Sequence, residues 1–106
     1  MLLRTSNTTR TGTRFDEAVV QQVWNKGTIV PGYDPNVYRK DACSAWMQRN
    51  RHGMTIAMGW EIDHIIPVEH GGVDSLFNLQ PLQWQNNRAK SDKITPTPGT
   101  FCAVRT

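Results

Sequence analysis

Four side chains between Gly59 and Lys93 are of the types that could together hydrolyse a bond with the help of a metal ion: Asp63, His64, Asn78 and Asn87. Asp63 offers hard carboxylate oxygens suited to Mg²⁺ or Mn²⁺. His64, left unligated, can accept a proton from water near neutral pH. Asn87 supplies a neutral oxygen as a second ligand. The Asn78 amide has donors and an acceptor with which to fix a connecting loop and so aim the histidine. Each residue taken singly also has an ordinary structural reading: a hydrogen-bonded Asp-His pair, a strand-end Asn, an amide on a helix surface. Glu61, two residues before Asp63 and on the same strand face, either buttresses a ligand or pairs with a base.

The elements that must position these groups follow from the local pattern. Residues 60–66, from Trp60 to Ile66, form a short β-prone run closed by Pro67. Buried strands seldom carry Glu, Asp and His together, because each charge there must be paired or bound to metal. Gly71-Gly72 lets the chain double back, residues 77–80 read as a return strand, and Pro81 stops or redirects it. Helical material runs from Leu82 to about Lys90. The order is strand, loop, strand, helix, with Asp63 and His64 on opposite strand faces and reaching one cleft only if the strand bends near its end.

Asp63-His64-Ile65-Ile66-Pro67, then Asn78-Leu79-Gln80-Pro81, then Asn87-Arg88-Ala89-Lys90-Ser91-Asp92 together resemble the HNH nucleases. The order and separations are those of their ββα-metal core, and the resemblance covers roughly a third of the chain. It implies an α+β fold built on that ββα-metal core, to which the patterning of the N-terminal half adds helices. It also implies metal-dependent endonuclease activity on DNA, with RNA as an alternative substrate and products bearing 5′-phosphate and 3′-hydroxyl ends. Asp63 and Asn87 would be the metal ligands, His64 the general base on water and Asn78 the orienting residue. Asn rather than His at the last position favours Mg²⁺, with Mn²⁺ as a substitute, over zinc. The C-x-x-C pairs of the zinc-stapled subset are absent, so the core must hold without structural metal. Asn86 replaces Asn87 as ligand if the helix register slips by one. Arg88, Lys90 and Lys93 are candidates for phosphate contact. His52 is read as structural, and His70 is assigned no role. A non-catalytic nucleic-acid-binding module retaining the same fold is the competing reading.

The N-terminal half is placed by its own patterning. Residues 1–14 hold Arg4, Arg10 and Arg14 without an acid and read as a flexible basic arm. A helix is expected over residues 15–26, capped by Thr13 and stopped by Gly27, with Phe15, Val19, Val20, Val23 and Trp24 as its apolar stripe. Pro31-Gly32 and Asp34-Pro35 mark a loop over residues 28–36. A second helix is expected over residues 37–51, placing Ala42, Cys43 and Trp46 inward and Arg39, Lys40, Arg49 and Arg51 elsewhere. The domain then spans residues 15–93, and residues 94–106 form an extended Pro/Thr-rich tail.

Composition sets the outer bounds. A chain of 106 residues has room for one core. Charged residues at 20% and hydrophobic ones at 38% argue against both a membrane span and a disordered tail. The net charge of +3 and pI near 9.2 suit a polyanion partner and salt-sensitive binding. Cys43 and Cys102, distant and outside any C-x-x-C pair, read as two buried or idle thiols, with a bridge between them as the lesser alternative. With no apolar leader after Met1, they point to a cytoplasmic protein of bacterial or phage type rather than a secreted toxin. Nothing in the sequence indicates a dimer or protein partner.

Overall fold

The computed structural model describes residues 5–95 and 100–106. The first four residues of the expected arm, and residues 96–99 of the expected tail, lie outside them. The elements are α1 (Glu17–Trp24), a hairpin of β1 (Tyr38–Lys40) and β2 (Trp46–Gln48), then β3 (Trp60–His64), β4 (Leu79–Gln83) and α2 (Trp84–Lys90). Short 3₁₀ turns cover Arg49–Arg51, Val68–His70 and Leu76–Asn78. The two sheets are antiparallel pairs, β1 with β2 and β3 with β4. The fold is therefore α+β, with β3, β4 and α2 forming a ββα unit.

The apolar stripe of α1 does what its spacing predicts. Val20, Val23 and Trp24 are buried against Met47 of β2, Trp60 and Ile62 of β3, and Leu79 of β4. The Trp24 and Trp60 rings lie 5.2 Å apart, and Trp24 donates its indole N–H to the Pro35 carbonyl at 2.9 Å. Asp16, rather than Thr13, occupies the helix N-cap. The Thr13 hydroxyl is instead 2.8 Å from that of Thr9.

The expected helix over residues 37–51 is a β-hairpin. Its burial alternates: Arg39 and Met47 face inward while their strand neighbours are half-buried. Ala42, expected inside, is exposed at the turn, and Ala45 takes the buried place. The cause is Asp41, whose Oδ1 accepts the backbone N–H of Cys43 at 2.8 Å and of Ala45 at 2.9 Å. Ser44 sits in the left-handed region at φ 64°. Local side-chain bonds of this kind offer the backbone an alternative to helical pairing. Arg39 is likewise not on an outer face: its guanidinium is buried and donates to the carbonyls of Pro35, Asn25 and Gly27.

Pro81 does not stop the return strand; it lies in the middle of β4, opposite Ile62. Ile65 N donates to Asn78 O, so with two-residue alternation position 62 faces 81 at a non-hydrogen-bonded pair of the ladder. The missing proline N–H therefore costs no bond. The outward Ile62 N–H goes instead to Asn7 Oδ1 at 2.7 Å. That contact, and Arg10 N donating to Asp74 at 3.0 Å, corrects the expectation of a free arm: residues 5–14 are fastened along β3 and the loop that follows it.

Cys43 and Cys102 form a disulfide rather than two idle thiols. Sequence distance hid the pair, because the turn at Cys43 and the C-terminal segment meet only in the fold. Next to the bridge, Asn86 bonds Ala103 N, Val104 N and Val104 O, docking the segment on α2. Disulfides persist in oxidising compartments, so the cysteines no longer argue for the cytoplasm. Among the described residues no helix is long and apolar enough to cross a membrane.

Two stability outcomes follow. Replacing Cys43 and Cys102 by Ser should lower the urea-unfolding free energy by about 4 kcal/mol if loop-closure entropy dominates, given the 59-residue separation. Asp41→Ala should cost about 3 kcal/mol or more, since the carboxylate's buried N–H partners lose their acceptor. A loss below about 1 kcal/mol in the Asp41 variant would mean that the turn does not depend on it.

Candidate active site

Strand β3 is buried along its whole length, and alternation sends its side chains in two directions. Trp60 and Ile62 enter the apolar core, and His64 on that same face lies beside the Phe15 ring, centroids 6.0 Å apart. Glu61 and Asp63 face α2 and meet its polar groups there. Glu61 accepts Asn87 Nδ2 at 2.9 Å and binds Arg88 through both oxygens, at 3.1 and 2.8 Å. Asp63 meets Lys90 Nζ, 3.2 Å from either oxygen, and accepts Gln80 Nε2 at 3.0 Å. The charges on β3 are thus paired, as burial requires.

Despite their opposite faces, Asp63 and His64 both line one cavity of about 300 Å³, and Asn87 reaches it from α2. Ser6 and Asn7 of the N-terminal segment complete part of its wall. Helix α2 starts here because Gln83 Oε1 accepts the N–H groups of Gln85 and Asn86, at 2.8 and 3.1 Å. That register separates the two asparagines. Asn86 is fully buried and spent on Asp41 and the C-terminal segment. Asn87 holds its Nδ2 on Glu61, and among the described residues no donor meets its buried Oδ1.

Asn78 does not line the cavity. It is buried behind it, where Oδ1 accepts Ile66 N at 2.8 Å and Nδ2 donates to the carbonyls of Ile66 and Val73, at 3.1 and 2.9 Å. One amide therefore ties both ends of the loop between β3 and the Leu76–Asn78 turn. The loop closes so tightly that a Cβ on Gly72 would fall 1.7 Å from the Ile66 carbonyl oxygen. His64, at the end of β3, is consequently held at the rim of a braced loop, and its Nε2 lies 2.8 Å from Asp74 Oδ1.

The electrostatics follow from burial and these partners. Burial pushes the Asp63 carboxyl above its ordinary range, and the Gln80 bond and Lys90 charge oppose the rise. The Glu61 bond raises Arg88. His52 is held below its usual value by burial and then by nearby Arg49; its Nε2 lies 2.9 Å from Asn7 Oδ1 and its ring 4.7 Å from that of Trp60. His70 is exposed at the end of its 3₁₀ turn.

The expected basic cluster is divided. Lys90 has no exposed surface and donates to Asp63 and the His64 carbonyl, so it cannot touch a phosphate backbone. Arg88 is half-exposed although paired, and Lys93 is exposed. The sequence reading missed Asn7, Gln80 and Asp74. Of these, Gln80 stands in the Asn78-Leu79-Gln80-Pro81 segment and Asp74 in the loop four residues before Asn78, whereas Asn7 lies far outside the block.

Among the described residues no group of three or more His, Cys, Asp or Glu side chains is placed to hold an ion. The donor set fits a hard divalent ion in another way: one carboxylate and one orphaned amide oxygen line the same cavity, leaving coordination positions for water and substrate. No curated protein and no solved structure matches the chain. Residues 48–93, which contain β3, β4, α2 and the braced loop, match the family described as HNH endonuclease.

Proposed function

We propose that the protein is a metal-dependent endonuclease that hydrolyses DNA phosphodiester bonds. The observation that carries this reading is the convergence of Asp63, His64 and Asn87 on one cavity, with no donor among the described residues on Oδ1 of the buried Asn87. Asp63 and Asn87 Oδ1 would hold the ion, Mg²⁺ or Mn²⁺. When bound, the ion supplies Lewis-acid stabilisation of charge on the phosphate and the leaving oxygen.

The remaining work falls to the chain's own side chains. His64 takes a proton from the attacking water. Glu61 holds Asn87 Nδ2, which turns the amide oxygen away from the strand. Lys90 and Gln80 hold the Asp63 carboxylate in place without closing the cavity. Asn78 keeps the His64 loop from shifting. Arg88 and Lys93, exposed at and beyond the end of α2, are the groups proposed to meet phosphates, whereas Lys90 serves the interior.

Supercoiled plasmid incubated with the protein and Mg²⁺ or Mn²⁺ should be nicked, and EDTA should abolish the nicking. His64→Ala should lower the rate by about 10²–10⁴-fold. Undiminished cleavage by that variant would remove His64 as the base. DNA binding without cleavage under any ion would support a non-catalytic module instead. Separately, Asn87→Ala should weaken Mn²⁺ binding in titration calorimetry by about tenfold or more, a loss of about 1.4 kcal/mol. An unchanged affinity would exclude Asn87 as a ligand.

A further inference from the structure

The contact between His64 and Asp74 specifies more than proximity. An ionised carboxylate can only accept hydrogen bonds, so the 2.8 Å contact requires the hydrogen to be on His64 Nε2. In the neutral ring Nδ1 is then the nitrogen with the free lone pair. Among the described residues Nδ1 has no hydrogen-bond partner, and His64 is one of the residues lining the cavity. Asp74 is itself held from two sides. The Arg10 N–H reaches its carboxylate at 3.0 and 3.3 Å, and Asn78 Nδ2 fixes the carbonyl of the preceding Val73 at 2.9 Å. The Phe15 ring beside the imidazole and the burial of the His64 side chain, 2% exposed, restrict its remaining freedom.

We propose that Asp74 is the positioning residue for His64: it selects the Nε2–H tautomer, aims Nδ1 at the attacking water, and is braced by the N-terminal segment through Arg10. Glu69 and Asp92 also line the cavity, but neither bonds to the histidine. In the chemical step the water O–H bond breaks and its proton joins Nδ1, while the water oxygen bonds to phosphorus. The bond from phosphorus to the leaving 3′ oxygen breaks, and that oxygen takes a proton from solvent. The ring then carries hydrogens on both nitrogens. Its positive charge then lies against an Asp74 carboxylate that stays ionised, and solvent later removes the proton. This assignment rests on His64 being the base.

Nitrogen-15 spectra of the histidine ring, recorded where the imidazole is neutral, test the tautomer directly. His64→Gln identifies the His64 signals among those of the three histidines. The wild-type ring should carry its hydrogen on Nε2. Asp74→Asn, whose amide oxygen still accepts that hydrogen, should keep the tautomer. Asp74→Ala should lose the preference and lower kcat by about 10–100-fold with KM within about twofold, the effect of removing an orienting partner. Asp74→Asn should fall between the two in kcat. A wild-type ring protonated on Nδ1, or an Asp74→Ala protein with unchanged tautomer and kcat, would overturn the assignment. If the wild type cleaves nothing, the nuclease reading fails, and the tautomer of the wild type and of Asp74→Asn still decides whether Asp74 orients the ring.

Discussion

The Asp41 carboxylate joins the two halves of the molecule. Its Oδ1 closes the hairpin turn on Cys43 N and Ala45 N, while its Oδ2 accepts Gln83 N and Asn86 Nδ2 where β4 becomes α2. A buried carboxylate is costly unless its lone pairs are filled, and here N–H donors from both parts of the chain fill them. Both asparagines of α2 derive their placement from this junction. With Asn86 turned toward Asp41 and the C-terminal segment, Asn87 one position on faces the cavity.

A second constraint is the need to neutralise acids on a buried strand. Glu61 and Asp63 point at α2, and Arg88 and Lys90 answer them in the same order. The two pairs set how α2 lies across β3, and hence where the Asn87 oxygen emerges. They also divert basic residues from the surface: Lys90, which reads as a phosphate contact, is consumed as the counter-charge of Asp63. Under the proposed function, phosphate affinity would then depend on fewer exposed cations than the composition implies, Arg88 and Lys93 among them.

The N-terminal segment is part of the same construction. Its polar residues cannot make a core, but they can satisfy backbone groups that a two-stranded sheet leaves open. Asn7 takes the outward Ile62 N–H and the His52 ring, and Arg10 meets Asp74. An edge that would otherwise face solvent is thereby covered, and the cavity gains a wall.

The ββα unit was legible in the residues themselves, because strand and turn rest on local signals, a β-prone run and paired glycines, and helical material follows from Leu82 to about Lys90. The site residues stood at motif spacing, and the opposite faces of Asp63 and His64 followed from strand geometry alone. The hairpin at residues 38–48 was misread because its apolar and basic residues also fit a helical period, and Asp41, bonded locally to Cys43 N and Ala45 N and across the fold to Gln83 N, decides between the two. Pairing of Cys43 with Cys102, burial of Lys90 and the contact of Asp74 with His64 join groups whose distance along the chain, or placement in a loop, carries no periodic signal. The sequence by itself determined which chemical groups are present and the local elements that carry them. Tertiary structure decided which cations are spent inside, which asparagine faces the cavity and which nitrogen of His64 stays free, because each depends on partners that only folding brings within hydrogen-bonding reach.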